Sequence, residues 1–317
     1  FADRAAQAYA SAAAVDALRE ALVRARRARG GEADRRVLAL LDRYSLSLAV
    51  LGRFRDILDL LLPERERAER VEDRALTSAY FFRLGLTYSY LGEPGEAAVW
   101  AGRALAEAER GEDSMAAGRA CYVLALAAYY TGASPDGVEH ARRAIAHLER
   151  GRSRAELSWL GQSQWVLGLH LFLRGEFDAA LDAEATVEAT AARLGGEPRL
   201  RSFAAWTSGW ILATRGEWDR AIEACRRAVA DSPDPVNTAL ATGRLATAYL
   251  EKGEAAEALP LLERSVDQLA GFRFPQLQGL FTALLAEARL LTGDPTGARD
   301  AAERAVALTR DGRYPFG

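Results

Sequence analysis

Aromatic side chains are the residues in this chain whose type and spacing could do binding chemistry. Phe82, Tyr122, Trp165 and Trp206 follow one another at intervals of 40, 43 and 41 residues, and Tyr90, Tyr129, Tyr130, Phe172 and Trp210 stand close to them. Such rings bring large contact area with little rotamer entropy lost, so a regular run of them could anchor a protein, a peptide or a stacked sugar. Arg119, Gln162 and His170 lie nearby in sequence and could add polar contacts.

Catalysis finds less to work with. The chain contains no Gly-x4-Gly-Lys-Ser/Thr loop, no His-Glu-x2-His pair, no Gly-x-Ser-x-Gly elbow and no Cys-x2-Cys pair. His140 and His147 are seven residues apart on one helical pattern, which is about 10 Å along a helix axis and too far to share a metal ion. Asp and Glu residues fall mainly at helix starts and on polar faces. The expectation is a non-catalytic chain that needs no cofactor and no metal.

Composition narrows the partners. Half of the 317 residues are hydrophobic, 27% are charged, and the net charge is -3, without the positive field that binding to nucleic acid or an anionic membrane requires. The local cluster Arg24, Arg26, Arg27, Arg29, Arg35 and Arg36 reads as a solvated helix end, interleaved with Glu32 and Asp34. No apolar run approaches the length of a membrane span. Cys121 and Cys225 sit in separate helical patterns and read as small buried hydrophobes in a reducing compartment, the cytoplasm. Lys252 is the single lysine among 41 basic residues, a bias of GC-rich bacterial genomes.

A glycine-centred turn gives the ruler on which these residues align. Gly52, Gly92, Gly132, Gly175, Gly216, Gly253 and Gly293 are separated by 40, 40, 43, 41, 37 and 40 residues, a period that indicates stacked repeats. Phe81, Leu84, Gly85 and Tyr88 precede Gly92 on one helical face, and Ala97, Ala101 and Ala104 follow on a second helix. Seven residues before each turn glycine stand Ser45, Gly85, Ala125, Gly168, Gly209, Ala246 and Ala286. Five residues after stand Ile57, Ala97, Gly137, Ala180, Ala221, Ala258 and Ala298. Small residues held mid-helix, where glycine costs about 1 kcal/mol relative to alanine, imply that the two helices touch there.

An acidic residue follows several of the glycines, as in Glu93, Glu176, Glu217, Glu254 and Asp294, and is expected to interact with the exposed amides and dipole of the next helix. Pro63 and Pro260 fall within helical patterns and should kink them or lie near a first turn. The run Asp231 to Pro235 should stop a helix.

These residues together resemble the tetratricopeptide repeat: Phe81-x2-Leu84-Gly85-x2-Tyr88 with Ala97 and Ala104, and again Gly209, Leu212, Trp218, Ala221, Ala228 and Pro233, over about Leu41 to Ala305. Cys121, Ala128 and Arg289 depart from the pattern, and most repeats exceed the usual length. Longer repeats of this kind resemble the arms of bacterial signalling ATPases of the STAND class, including those joined to nucleotide cyclases, protein kinases or the maltotriose-responsive activator. The resemblance implies an all-α, right-handed superhelical α-solenoid of antiparallel helix pairs. Its repeats run over about 33–71, 73–110, 114–150, 155–195, 198–232, 235–270 and 274–310 as one elongated domain, after a partial repeat over 1–30.

By the same resemblance, the positions ten, six, three and two before each glycine line a concave groove, in which the aromatic run occupies repeats two to five. The implied function is an interaction or sensor module of a bacterial regulator, holding a protein, a peptide or another domain of its own polypeptide. The alternative is sensing of a small molecule such as a carbohydrate in the same groove. Packing of the rings between neighbouring first helices explains them equally, because a helix apolar on most faces is a buried one. Both ends of the sequence read as cut from a longer chain, so self-association through uncapped ends is a further expectation.

Overall fold

The computed structural model describes residues 2–272 and 275–310, with side chains at 14–49, 51–272 and 277–310. The side chains of residues 1–13, within the expected partial repeat over 1–30, and the segment 311–317 lie outside the described residues. Among the described residues every regular element is helical. A helix α1 (Ala2–Ala25) packs against α2 (Gly31–Val50). Helix α2 leads into α3 (Phe54–Leu61), a 3-10 turn (Leu62–Glu64) and α4 (Arg65–Arg70). Helix pairs follow: α5 (Arg74–Tyr90) with α6 (Pro94–Arg110), α7 (Ser114–Thr131) then α8 (Ser134–Leu148), and α9 (Arg154–Leu173) with α10 (Phe177–Arg193). The last three pairs are α11 (Pro198–Thr214) with α12 (Trp218–Asp231), α13 (Pro235–Glu251) with α14 (Ala255–Phe272), and α15 (Pro275–Leu291) with α16 (Pro295–Arg310).

The helices group into two compact units, residues 1–127 and 128–317. In the C-terminal unit each second helix also packs on the next first helix, and first helices stack on one another, α9 on α11, α11 on α13 and α13 on α15. In the N-terminal unit α2 stacks on α5 in the same way.

All seven turn glycines adopt positive φ, from 69° at Gly52 to 89° at Gly293. At each, the following residue donates its N–H to a carbonyl five residues back, at 2.9 Å throughout, as in Glu93 to Tyr88, Glu217 to Leu212 and Asp294 to Arg289. The glycine N–H bonds the carbonyl three back, at 2.9–3.3 Å. This is a Schellman motif, which satisfies the last carbonyls of the first helix while reversing the chain.

At Gly85 and Gly209 the small positions meet as their spacing predicts, whereas Gly168 and Gly137 make room for Glu184 and His170 instead. A Cβ on Gly85 would stand 3.0 Å from Ala101 N and 3.1 Å from Ala97 O, and one on Gly209 would stand 3.0 Å from Ala221 O and collide with Cys225 Sγ. A serine tie closes the outer end of these pairs. Ser78 Oγ donates to Ala104 O at 2.9 Å and Ser202 Oγ to Ala228 O at 2.8 Å; in the next repeat the roles exchange, with Ser265 Oγ donating to Ala239 O at 2.8 Å.

The acidic residues after the turns behave differently from expectation. The side chains of Glu93, Glu176 and Glu217 make no capping bond; they reach Arg55 at 3.7 Å, Arg174 at 2.6 Å and Arg215 at 3.1 Å instead. A guanidinium within reach offers a charge-assisted bond that outcompetes a neutral amide. Asp294 does cap, accepting from Gly297 N at 2.9 Å. Most side-chain caps sit on the other side of the repeat, at Asp73, Asp113, Ser153, Glu197 and Asp234. Asp234 precedes Pro235 at the first position of α13, so the Asp231 to Pro235 run stops one helix and starts the next. Pro63 breaks the second helix of its repeat at the 3-10 turn, whereas α14 runs on through Pro260.

Candidate functional site

In the N-terminal unit, Phe82 is 2% exposed and Tyr122 is equally buried. Arg119 is stacked on Phe82, its guanidinium carbon 4.9 Å from the ring centroid, and Arg83 approaches the same ring at 5.8 Å. Burial, chiefly, holds the Arg119 pKa below its ordinary value, and its Nε is buried with no partner among the described residues. Arg83 Nη2 donates to Asp42 Oδ1 at 2.8 Å. This ion pair borders a recess of about 250 Å³ lined also by Leu38, Leu61, Leu76 and Tyr80, below the roughly 300 Å³ at which small-molecule clefts begin. Tyr90 is half-buried and stacks on Phe54 with centroids 4.7 Å apart.

In the C-terminal unit the stripe is a connected set of rings. Trp165 is 7% exposed, stacks on Phe203 at 4.3 Å, meets Trp206 edge-on at 5.7 Å, and donates its indole N–H to Thr207 Oγ1 at 2.9 Å. Phe172 lies 4.5 Å from Trp210 and 5.8 Å from Phe177. Tyr129 meets Tyr130 at 5.2 Å and His170 at 6.2 Å, both edge-on. His170 is fully buried with its ring over Gly137, whose missing Cβ makes the room. The inner residues Tyr129, Trp165, His170, Phe172 and Trp206 are therefore packing residues first. Tyr130, Gln162 and Trp210 are half-buried and form the outer edge.

Two buried ionisable groups here lie off the expected stripe. Arg244 on α13 is 4% exposed, its guanidinium carbon 3.3 Å from the Trp210 centroid, 5.8 Å from Trp206 and 5.5 Å from Phe281. Burial brings its pKa down to about 10. Glu184 on α10 is 1% exposed, abuts Gly168, and has no partner for either oxygen among the described residues; burial first, and then Glu188, raise its pKa well above the ordinary 4.5. The legible signal for both was a charged residue set among small or apolar ones, in the run Gly243-Arg244-Leu245-Ala246 and at Glu184, which shares a helix face with Val187.

Three arginines of the N-terminal cluster are held by acidic partners. Arg24 pairs with Glu20 at 3.2 Å, Arg26 with Glu64 at 2.7 Å and Arg35 with Glu32 at 4.0 Å. Among the described residues no three His, Cys, Asp or Glu side chains converge to hold a metal, and no helix is long and apolar enough to cross a membrane. Both cysteines are buried and unbridged.

A tetratricopeptide-repeat family model matches residues 212–284. No curated protein matches the chain in sequence. Solved structures share the fold at low identity. A Rap protein complexed with competence and sporulation factor superposes with a TM-score of 0.74 at 15% identity, covering 94% of this chain and 80% of that one. The Rap conjugation gene regulator of the plasmid pLS20, in complex with a peptide, gives 0.69 at 13% identity over 89% and 76% of the two chains. NprR in complex with its cognate peptide NprX gives 0.68 at 14% identity over 93% and 88%.

Proposed function

We propose that this chain is a non-catalytic regulatory module that binds a peptide or an extended protein segment along the aromatic stripe of its C-terminal unit. The observation that carries this reading is the stripe's construction. Its inner rings are locked by packing and by the Trp165 to Thr207 bond, while Tyr130, Gln162 and Trp210 keep an open edge above them. Rings immobilised before binding lose little entropy on contact, which is what an anchor for a flexible peptide needs. Structures of the same fold with peptides bound, NprR and the plasmid-encoded Rap regulator, support the same class of ligand.

In this reading the module belongs to a larger bacterial regulator, of which the STAND-type ATPases are one form, and the bound segment is a separate peptide or part of the parent chain. The two unbridged thiols fit a reducing cytoplasm.

Selection from a displayed peptide library, followed by titration of the chosen peptide against tryptophan emission, tests the proposal. Trp210→Ala should weaken binding by about 2 kcal/mol or more, roughly thirtyfold, and Tyr130→Ala should act in the same direction. Selected peptides that bind both variants as tightly as the parent chain would place the surface elsewhere.

A further inference from the structure

Two donors stand close together in the C-terminal unit, the Arg244 guanidinium carbon 5.8 Å from the Trp206 ring centroid, and neither has an acceptor among the described residues. Arg244 stacks the face of its guanidinium on Trp210, so the face is used and the edge, with its N–H groups, is left over. No hydrogen bond or ion pair to that edge exists among the described residues. The titratable groups that face it are Tyr129 and Cys225. Burial raises the pKa of both, that of Cys225 to about 12, so both are neutral and the cation has no counterion. Trp206, which Arg244 also approaches, has its indole Nε1 buried without an acceptor. A buried cation lacking an anion and a buried N–H lacking an acceptor are each unfavourable, and no side chain among the described residues relieves them.

We propose that the edge of Arg244 and the indole N–H of Trp206 together receive a carboxylate of the ligand, which makes the bound segment an anionic one. The proposal rests on the peptide-binding reading above. The carboxylate enters beside half-buried Trp210, accepts two guanidinium N–H bonds in the bidentate geometry that arginine favours, and takes the Trp206 N–H as a third. The Trp210 ring keeps the guanidinium plane fixed meanwhile, so binding orders nothing that was mobile. A carboxylate of this kind comes from a peptide C-terminus or from an Asp or Glu side chain.

Three pools of random hexapeptides distinguish these cases: one with a free C-terminus and no Asp or Glu, one amidated but containing Asp and Glu, and one amidated without either. Each is passed over immobilised protein and the retained peptides are counted by mass spectrometry. The expected result is retention of one or both carboxylate-bearing pools over the third by roughly ten- to a hundredfold, as for a charge-assisted bond; whichever pool is retained identifies the source.

Arg244→Met should abolish the preference, Arg244→Lys should keep part of it, and Trp206→Phe, which preserves the ring, should reduce it. Without peptide, Arg244→Met should melt at or above the parent temperature, because an unpaired buried charge has been removed. Equal retention of all three pools by the unmodified protein overturns the carboxylate site and leaves the peptide reading standing. Retention of none overturns both.

Discussion

The indole N–H of Trp165 donates to Thr207 Oγ1 at 2.9 Å, tying the first helix of one repeat to the first helix of the next through the very stripe that resembles a binding groove. Trp165 is thus a structural tie, and substituting it reports on stability. Trp165→Ala should cost about 3–5 kcal/mol, as for other large-to-small changes in a core, and Trp165→Phe about 1 kcal/mol for the lost bond. Urea denaturation of both, beside Trp210→Ala, checks the assignment; an unfolding midpoint for Trp165→Ala equal to the parent's would refute it.

Gly209 and Cys225 define the closest approach of α11 and α12. A methyl at position 209 meets the Cys225 sulfur and, at 3.0 Å, Ala221 O. Gly209→Ala gains helix propensity of about 1 kcal/mol but should lose more to overpacking, for a net destabilisation of about 1–2 kcal/mol. Cys225→Ala in the same chain removes the sulfur clash, so the double variant should be more stable than the sum of the single ones. Strict additivity in the denaturation curves would show that the helices yield without strain.

The repeat and its corners were legible in the sequence because they are local: a residue at positive φ must be small, and a helix pair in contact must carry small residues at matching heights. Whether a ring at a groove position is open or packed is not local. Tyr130 and Trp210, two and six residues before their turn glycines, are half-buried, while Trp165 and Trp206, ten before theirs, are covered by neighbouring rings, and nothing in their own segments records that. Arg244 sits one residue past the expected stripe position, so spacing passed over it, and only the placement of Trp210 beneath it gives it meaning. The acidic turn residues misled for a different reason: Arg174 and Arg215, two residues before Glu176 and Glu217, are close enough in sequence to capture them, and only Glu93 is reached from the preceding repeat, by Arg55.

Glu184 should make stability depend on pH. Its folded pKa lies well above the 4.5 of an exposed glutamate, so both states are protonated at low pH. Above that value the unfolded chain ionises while the folded one does not. Stability then falls as pH rises toward the folded value, by up to about 1.4 kcal/mol per pH unit. Glu184→Gln should flatten this loss as pH rises above the ordinary glutamate range. Parallel stability curves for the two proteins would mean that the carboxylate is ionised in the fold.

Neither thiol should be accessible to reagents in the native state. Cys121 and Cys225 are buried, and the Cys225 thiol is pushed up to about 12, leaving almost no thiolate at neutral pH. A colorimetric disulfide reagent should report no reaction in buffer and two thiols in denaturant; rapid labelling of the native chain would contradict the burial of Cys121 on α7 or of Cys225 on α12.

The seven glycine corners share one hydrogen-bond pattern, with a 2.9 Å bond at each, yet the interval between them ranges from 37 to 43 residues. The variation resides elsewhere: α12 has 14 residues, α9 has 20, and the segment joining α8 to α9 is 149–153. Extra residues inserted at that segment should be tolerated as natural length variation already is, whereas a single residue added at Gly175 or Gly216 would rotate every downstream side chain about its helix. The corners act as fixed hinges of a measuring chain, and the connectors on the opposite side are its adjustable links.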